Sequence, residues 1–152
     1  MTLQKNTLLL FVLLSVATLC AQAQTPHTPV KGSTERKALL DALRPAIEKT
    51  LGIEVVFEVR KLNVLGNFAY GDLVPRHKNG QPIDYTQTNI DPEQLEAFDD
   101  WACVLWEMDK KGKWKVKTFL LGATDVPYLC WWNAFGAPKA VFPETVDDCS
   151  TE

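Results

Sequence analysis

The spacing of apolar residues changes three times along the chain, and each change marks an element. Between Ser33 and Leu51, Leu39, Leu40, Leu43, Ala46, Ile47 and Leu51 recur at helical spacing on one face. Ser33 or Thr34 suits the N-cap, and Gly52 suits the left-handed stop. Pro45 falls mid-helix, where it removes one backbone hydrogen bond and is expected to kink the axis.

The period then becomes two. In residues 53–64, Val55, Phe57 and Val59 alternate with Glu54, Val56, Glu58 and Arg60. Residues 65–67 (LGN) read as a hairpin turn and 68–74 (FAYGDLV) as the return strand. A second pair follows. Residues 101–108 (WACVLWEM) are apolar on both faces, as a central strand should be, and 109–113 (DKKGK) form a turn. Over 114–122, Trp114, Val116, Thr118 and Leu120 alternate with lysines, which predicts one solvated sheet face at that end.

Residues 75–100 connect the two pairs. Asn79-Gly80 signals a tight turn, and Asp91-Pro92-Glu93-Gln94 has the form of a helix start, so a short helix is expected near 92–98. Loops of this length in small domains often carry function. The last element lies in 122–138 (GATDVPYLCWWNAFGAP). Thr124 or Asp125 can cap a helix there, Pro127 suits its first turn, Gly136 ends it and Pro138 prevents its resumption. The resulting expectation is an α+β fold. An N-terminal helix packs on a four-stranded antiparallel sheet and a short C-terminal helix follows, in an element order analogous to cystatin-like and NTF2-like folds.

The N-terminus reads as a targeting segment rather than as structure. Lys5 precedes an apolar run from Leu8 to Leu19, and Ala21-Gln22-Ala23 fits a signal-peptide cleavage site, with cutting expected after Ala23. The run is too short for a helix to cross a hydrocarbon layer of ~30 Å. Cys20 raises the rival of lipoprotein anchoring, which the bulky Leu19 before it disfavours. The expected location is therefore periplasmic or secreted. The expected organisation is a signal peptide over 1–23, a flexible leader over 24–32, a single domain over 33–143 and a C-terminal tail over 144–152. Cleavage leaves 129 residues, enough for one domain with a real core.

Cleavage removes one lysine and no acid, so the net charge moves from −3 to −4. Mild acidity without a basic run argues against nucleic-acid or anionic-membrane partners. Export also places the thiols in an oxidising compartment. Cys103, Cys130 and Cys149 survive cleavage, so at most one internal bridge forms. Cys130–Cys149 is expected because it ties down the polar tail, at about 3 kcal/mol in the chain-entropy model. Cys103 lies in an apolar strand and reads as a small buried hydrophobe, with Cys103–Cys130 the alternative pairing.

Candidate chemistry is sparse. Tyr128, Trp131, Trp132 and Phe135 fall at i, i+3, i+4 and i+7, and such a stripe is first a packing surface and second the wall of a cleft. Asp125 is a cap or a reactive carboxylate. Asp99 and Asp100, beside Glu96, are adjacent strand-entrance residues that point to opposite faces, so they rarely share a ligand. His77 is a lone loop histidine between Arg76 and Lys78, and His27 lies in the leader. Arg60, Arg76, Lys115 and Lys117 could form an anion patch, although alternating charge on a solvated sheet face is the simpler account. No GxSxG, HExxH, P-loop or CxxC pattern is present, so no catalytic residue, metal ligand or cofactor is assigned.

Four segments carry a resemblance: ERKALLDALRP, VVFEVRKLNVLGNFAYG, FDDWACVLWEMDKKGKWKV and GATDVPYLCWW with AFGAP. Together, over about residues 34–143, they resemble a widespread family of small exported bacterial proteins of uncharacterised function. The resemblance implies export and a single domain and brings no catalytic residues. The cysteines are not part of the shared pattern.

Three functions follow as expectations. The first is a non-enzymatic exported binding module for an unknown protein or small apolar ligand. The second is a small cell-envelope hydrolase using Asp99, Asp100 or Asp125 as general acid/base. The third is a hydrophobic-ligand carrier, with the ligand between helix and sheet against Trp101, Trp106 and the 128–135 stripe.

Overall fold

A computed structural model of the chain describes residues 25–149. The expected export segment, with Cys20 and the expected cleavage position after Ala23, lies outside the described residues, as do the last three.

The first helix, α1, spans Thr34–Leu51 and buries Leu39, Leu43, Ile47 and Leu51 completely. Ser33 is extended (φ −67°, ψ 153°), and its Oγ accepts from the Arg36 N–H at 3.2 Å. That bond satisfies one of the orphan donors of the first turn. Gly52 at φ 75° donates its N–H to the Glu48 carbonyl at 2.8 Å, the left-handed stop expected of it. The helix runs unbroken through Pro45.

Four strands follow: β1 (Val56–Leu65), β2 (Phe68–Arg76), β3 (Ala102–Met108) and β4 (Trp114–Leu121). They form one antiparallel sheet in the order β1-β2-β3-β4. β1 begins at Val56 rather than Ile53 because the backbone of Val55 is held by α1. Its N–H donates to Glu48 Oε1 at 3.0 Å and its carbonyl accepts from Arg44 Nε at 3.2 Å. The β1–β2 turn places Gly66 at φ 59°, with no other residue type at positive φ, as a two-residue type II′ hairpin requires.

Two bulges redirect the side chains. The β1–β2 register shifts between Val59 and Lys61, which leaves Arg60 as the extra residue. Phe57 and Val59 before it and Leu62 and Val64 after it therefore all face α1. The second shift lies opposite Leu105–Trp106, with Lys117 the extra residue of β4. Trp114 and Val116 then share the α1 face with Phe119 and Leu121, while Leu120 turns away and is 45 % exposed. The uninterrupted alternation expected through Thr118 and Leu120 thus breaks at Lys117. Both sheet edges combine a bulge with charged residues, which blunts them against pairing with another chain.

The 75–100 connection closes one end of the α1 layer. The backbone bonds at residues 77–81 form a small turn around Asn79-Gly80. Ile83 and Ile90 are buried, the Tyr85 and Phe98 rings lie 4.7 Å apart, and the Asn89 N–H donates to the Leu51 carbonyl at 3.0 Å. The expected helix near 92–98 is one 3-10 turn, Gln94–Ala97, preceded by Asp91, which accepts from the Glu93 N–H at 2.9 Å. Gly122 at φ 84° carries the Phe98 ring, and a Cβ there would lie 2.2 Å from a ring carbon.

The opposite sheet face is covered by the C-terminal segment, which contains α2 (Trp131–Phe135). The disulfide Cys130–Cys149 fastens its end, and Cys103 is free and buried. The leader is tied to the sheet. His27 exchanges two backbone bonds with Val64, at 2.9 and 2.8 Å, and Pro29 accepts from Arg36. Among the described residues no helix is long and apolar enough to cross a membrane.

Candidate functional site

The aromatic stretch at 122–138 does not form one helix. Residues 127–130 are wound as turns, with Trp131 N–H donating to the Tyr128 carbonyl at 3.1 Å, and only Trp131–Phe135 is α-helical. Thr124 and Asp125 are exposed in a bend and cap nothing. The segment must first step off β4 and cross to the second face of the sheet. Trp101 fixes that step, with its Nε1 donating to the Ala123 carbonyl at 2.7 Å.

Tyr128 and Trp131 nevertheless keep their i, i+3 relation and point into the core, at 6 % and 8 % exposure. Tyr128 stacks on Tyr70 at 4.9 Å, and Phe142 lies on the same Tyr70 ring at 5.5 Å. Trp132 points outward and is half-buried. Its Nε1 donates to the Val146 carbonyl at 3.0 Å, and the Lys139 ammonium sits 3.9 Å from its ring. This stretch is a packed cover for the sheet.

The sheet also divides the proposed aromatic set. Trp106 is fully buried on the α1 face, whereas Trp101, Tyr128, Trp131 and Trp132 belong to the other face. No single ligand between helix and sheet can touch both groups. The interior carrier site drawn from Trp101, Trp106 and the 128–135 stripe is therefore not brought together, because β3 itself runs between its halves.

The carboxylates expected to carry hydrolysis are all exposed: Asp99, Asp100 and Asp125. Asp100 is engaged by Arg60 at 3.3 Å and by Arg76 at 3.7 Å, and Arg76 also bonds Glu58 through Nε and Nη2 at 2.9 and 2.7 Å. Arg60 and Arg76 are thus committed to acids. Lys115 and Lys117 lie on the far strand, where Lys117 pairs with Glu107 at 2.7 Å. The four cations do not converge on an anion site. His77 sits partly exposed in its turn, and the leader's His27 pairs with Glu35 at 2.9 Å.

The carboxylate that sequence reasoning missed is Asp72, which pairs with Cys103 across β2 and β3. It lies between Gly71 and Leu73 as the one acid in β2, the one signal that could have marked it. Its Oδ1 is buried without a hydrogen-bond partner among the described residues. Burial raises its pKa above the usual carboxylate value, against the pull of Arg60 and Lys61. Burial likewise pushes the Cys103 thiol up to about 12, so it is not a nucleophile at neutral pH. Two other buried polar atoms lack partners, the Tyr85 hydroxyl and Trp106 Nε1, and burial pushes the Tyr85 hydroxyl up to about 12. No group of three or more His, Cys, Asp and Glu side chains among the described residues could hold a metal ion.

An open cleft of about 320 Å³ lies between α1 and β1. Leu40, Phe57 and Val59 give it an apolar floor, and Lys31, Arg36, Lys37 and Arg44 stand around it with Asp41 as the one acid. Arg36, Leu40 and Arg44 follow one another at i, i+4 and i+8, so α1 itself sets this face. Asp41 is held by both Lys37 and Arg44, and those bonds keep its carboxyl below the usual value. Arg44 also lies 5.9 Å from the Phe57 ring centre. At the other end, among the described residues Lys31 has no ion-pair partner and the Arg36 guanidinium donates only to the neutral Pro29 carbonyl, at 3.3 Å. Asp41 therefore offsets one of the two positive charges beside it, while no ion pair among the described residues offsets Lys31 or Arg36.

No family model, no curated protein and no solved structure matches the chain.

Proposed function

We propose that this protein is an exported, non-enzymatic binding module that presents the α1–β1 cleft to its ligand. The observation that carries the reading is the composition of that cleft, three partly exposed apolar side chains beneath four cations and a single acid. Ligand sites characteristically join an apolar lining to a few placed polar groups, and this volume is at the small end of their range. The Cys130–Cys149 bridge agrees with an oxidising, exported location, as does the resemblance to small exported bacterial proteins.

The hydrolase reading finds less support. Among the described residues the only carboxylate with burial and a raised pKa is Asp72, and it faces a thiol that burial keeps protonated, with no activated nucleophile beside it.

A small-molecule fragment screen followed by amide chemical shifts tests the reading. Hits should cluster on Arg36, Leu40, Phe57 and Val59. A cluster of hits around Trp132 would move the site to the C-terminal face. Ester or amide turnover that Asp72→Asn abolished would replace the binding reading with the hydrolase.

A further inference from the structure

The two ends of the cleft differ, and the difference selects a ligand chemistry. We infer that the α1–β1 cleft takes a small amphiphilic anion, its carboxylate or phosphate head between Lys31 and Arg36 and its apolar body on Leu40, Phe57 and Val59. The inference rests on the cleft being the binding site and adds the class of ligand.

Charge decides the head group. Lys37 and Arg44 share Asp41, which offsets one of their two charges, and Arg44 also holds the Val55 carbonyl. Lys31 and Arg36 carry two positive charges and form no ion pair among the described residues. A guanidinium bonded to one neutral carbonyl has further N–H donors for an anion. The nearby Glu35 carboxylate is bonded to His27, at 2.9 Å, and is not part of the cleft lining.

Area and volume decide the body. Leu40, Phe57 and Val59 stay partly exposed although they belong to the α1 core, so an apolar group laid on them would remove further surface from water. At about 320 Å³ the cleft suits one short chain or ring rather than a protein face, which needs roughly 800 Å² per partner. Strand addition to the adjacent β1 edge is opposed by the Arg60 bulge and by Glu58 and Lys61.

Amide chemical shifts of the full chain, titrated with octanoate, octyl phosphate, octanol, octylammonium and acetate, all below micelle formation, test the assignment. Octanoate or octyl phosphate should move amides in 31–44 and 57–59, and the tighter of the two identifies the head group. Each added methylene should tighten binding by about twofold to fourfold until the floor is covered. Lys31→Glu with Arg36→Gln should weaken octanoate by about tenfold or more. Should that variant not fold, octanoate affinity in the unaltered protein should still fall as salt is raised. Octanol binding as tightly as octanoate overturns the anion assignment and leaves the cleft as a binding site. Acetate binding as tightly as octanoate removes the apolar half of the proposal. If no probe moves cleft amides, the ligand class and the binding reading fail together.

Discussion

The two faces of the sheet are covered by different means. On one side a periodic helix lays Leu39, Leu43, Ile47 and Leu51 across Val64, Leu73, Val104 and Trp106. On the other, an irregular segment is held by a few large anchors, Tyr128, Trp131 and Phe142, and by the disulfide at its end. A long helix needs only its apolar stripe, because each of its backbone bonds is internal. The irregular cover must satisfy its backbone piecemeal, through bonds such as Trp101 to Ala123 and Trp132 to Val146, and a covalent tie limits the entropy of its unfolded chain.

The largest test of this contrast is Trp106→Ala. The residue is fully buried under α1, and its removal should cost about 3–5 kcal/mol in urea unfolding. A loss no larger than that of a surface substitution would show that the α1 face is loosely packed. Next in size is removal of the disulfide by paired Cys130→Ala and Cys149→Ala, expected at about 2–4 kcal/mol. Hydrogen exchange should speed up over 128–149 first and leave α1 protected. Equal loss of protection on both sides would mean that the faces unfold as one unit.

Gly71→Ala is smaller and probes the α1 face from the strand side. A Cβ at Gly71 would lie 2.7 Å from the Trp106 ring, so the ring or β2 must shift, at about 1–3 kcal/mol. Unchanged stability with an unshifted indole resonance would contradict that contact.

The smallest effect concerns charge on the C-terminal face. Burial raises the Asp72 pKa above its ordinary value of 3.8, so the native state binds that proton more tightly than the unfolded chain does. The stability this contributes is complete below the unfolded value and is lost as pH rises through the native one. Asp72→Asn should therefore gain stability over the unaltered protein near about pH 7 and lose that advantage near about pH 3. A difference between the two proteins that stayed constant with pH would show that Asp72 is not desolvated in the native state.

Local signals were legible where the chain alone satisfies itself. The α1 limits follow from Ser33 and Gly52, the hairpin turns from Gly66 and from the 109–113 run, and the Cys130–Cys149 expectation from a polar tail for which the sequence offers no other anchor. The bulges at Arg60 and Lys117 were not legible, since each depends on what its partner strand and α1 bury. The 122–138 stripe read as one helix because its spacing is helical. The crossing from β4 to the far face shortened it. Of the cleft, the stripe Arg36, Leu40, Arg44 was present in the sequence and went unread, because its chemistry appears only when Phe57 and Val59 lie opposite.

The sequence by itself determined the α+β order, the limits of α1, the two hairpins and a ceiling of one internal disulfide, the first three being consequences of short-range periodicity, capping and turn chemistry. Tertiary structure decided which side of the sheet each aromatic occupies, which arginines are matched by acids and which remain uncompensated. Burial and ion pairing are sums over neighbours distant in the chain, and only the closed fold fixes those neighbours.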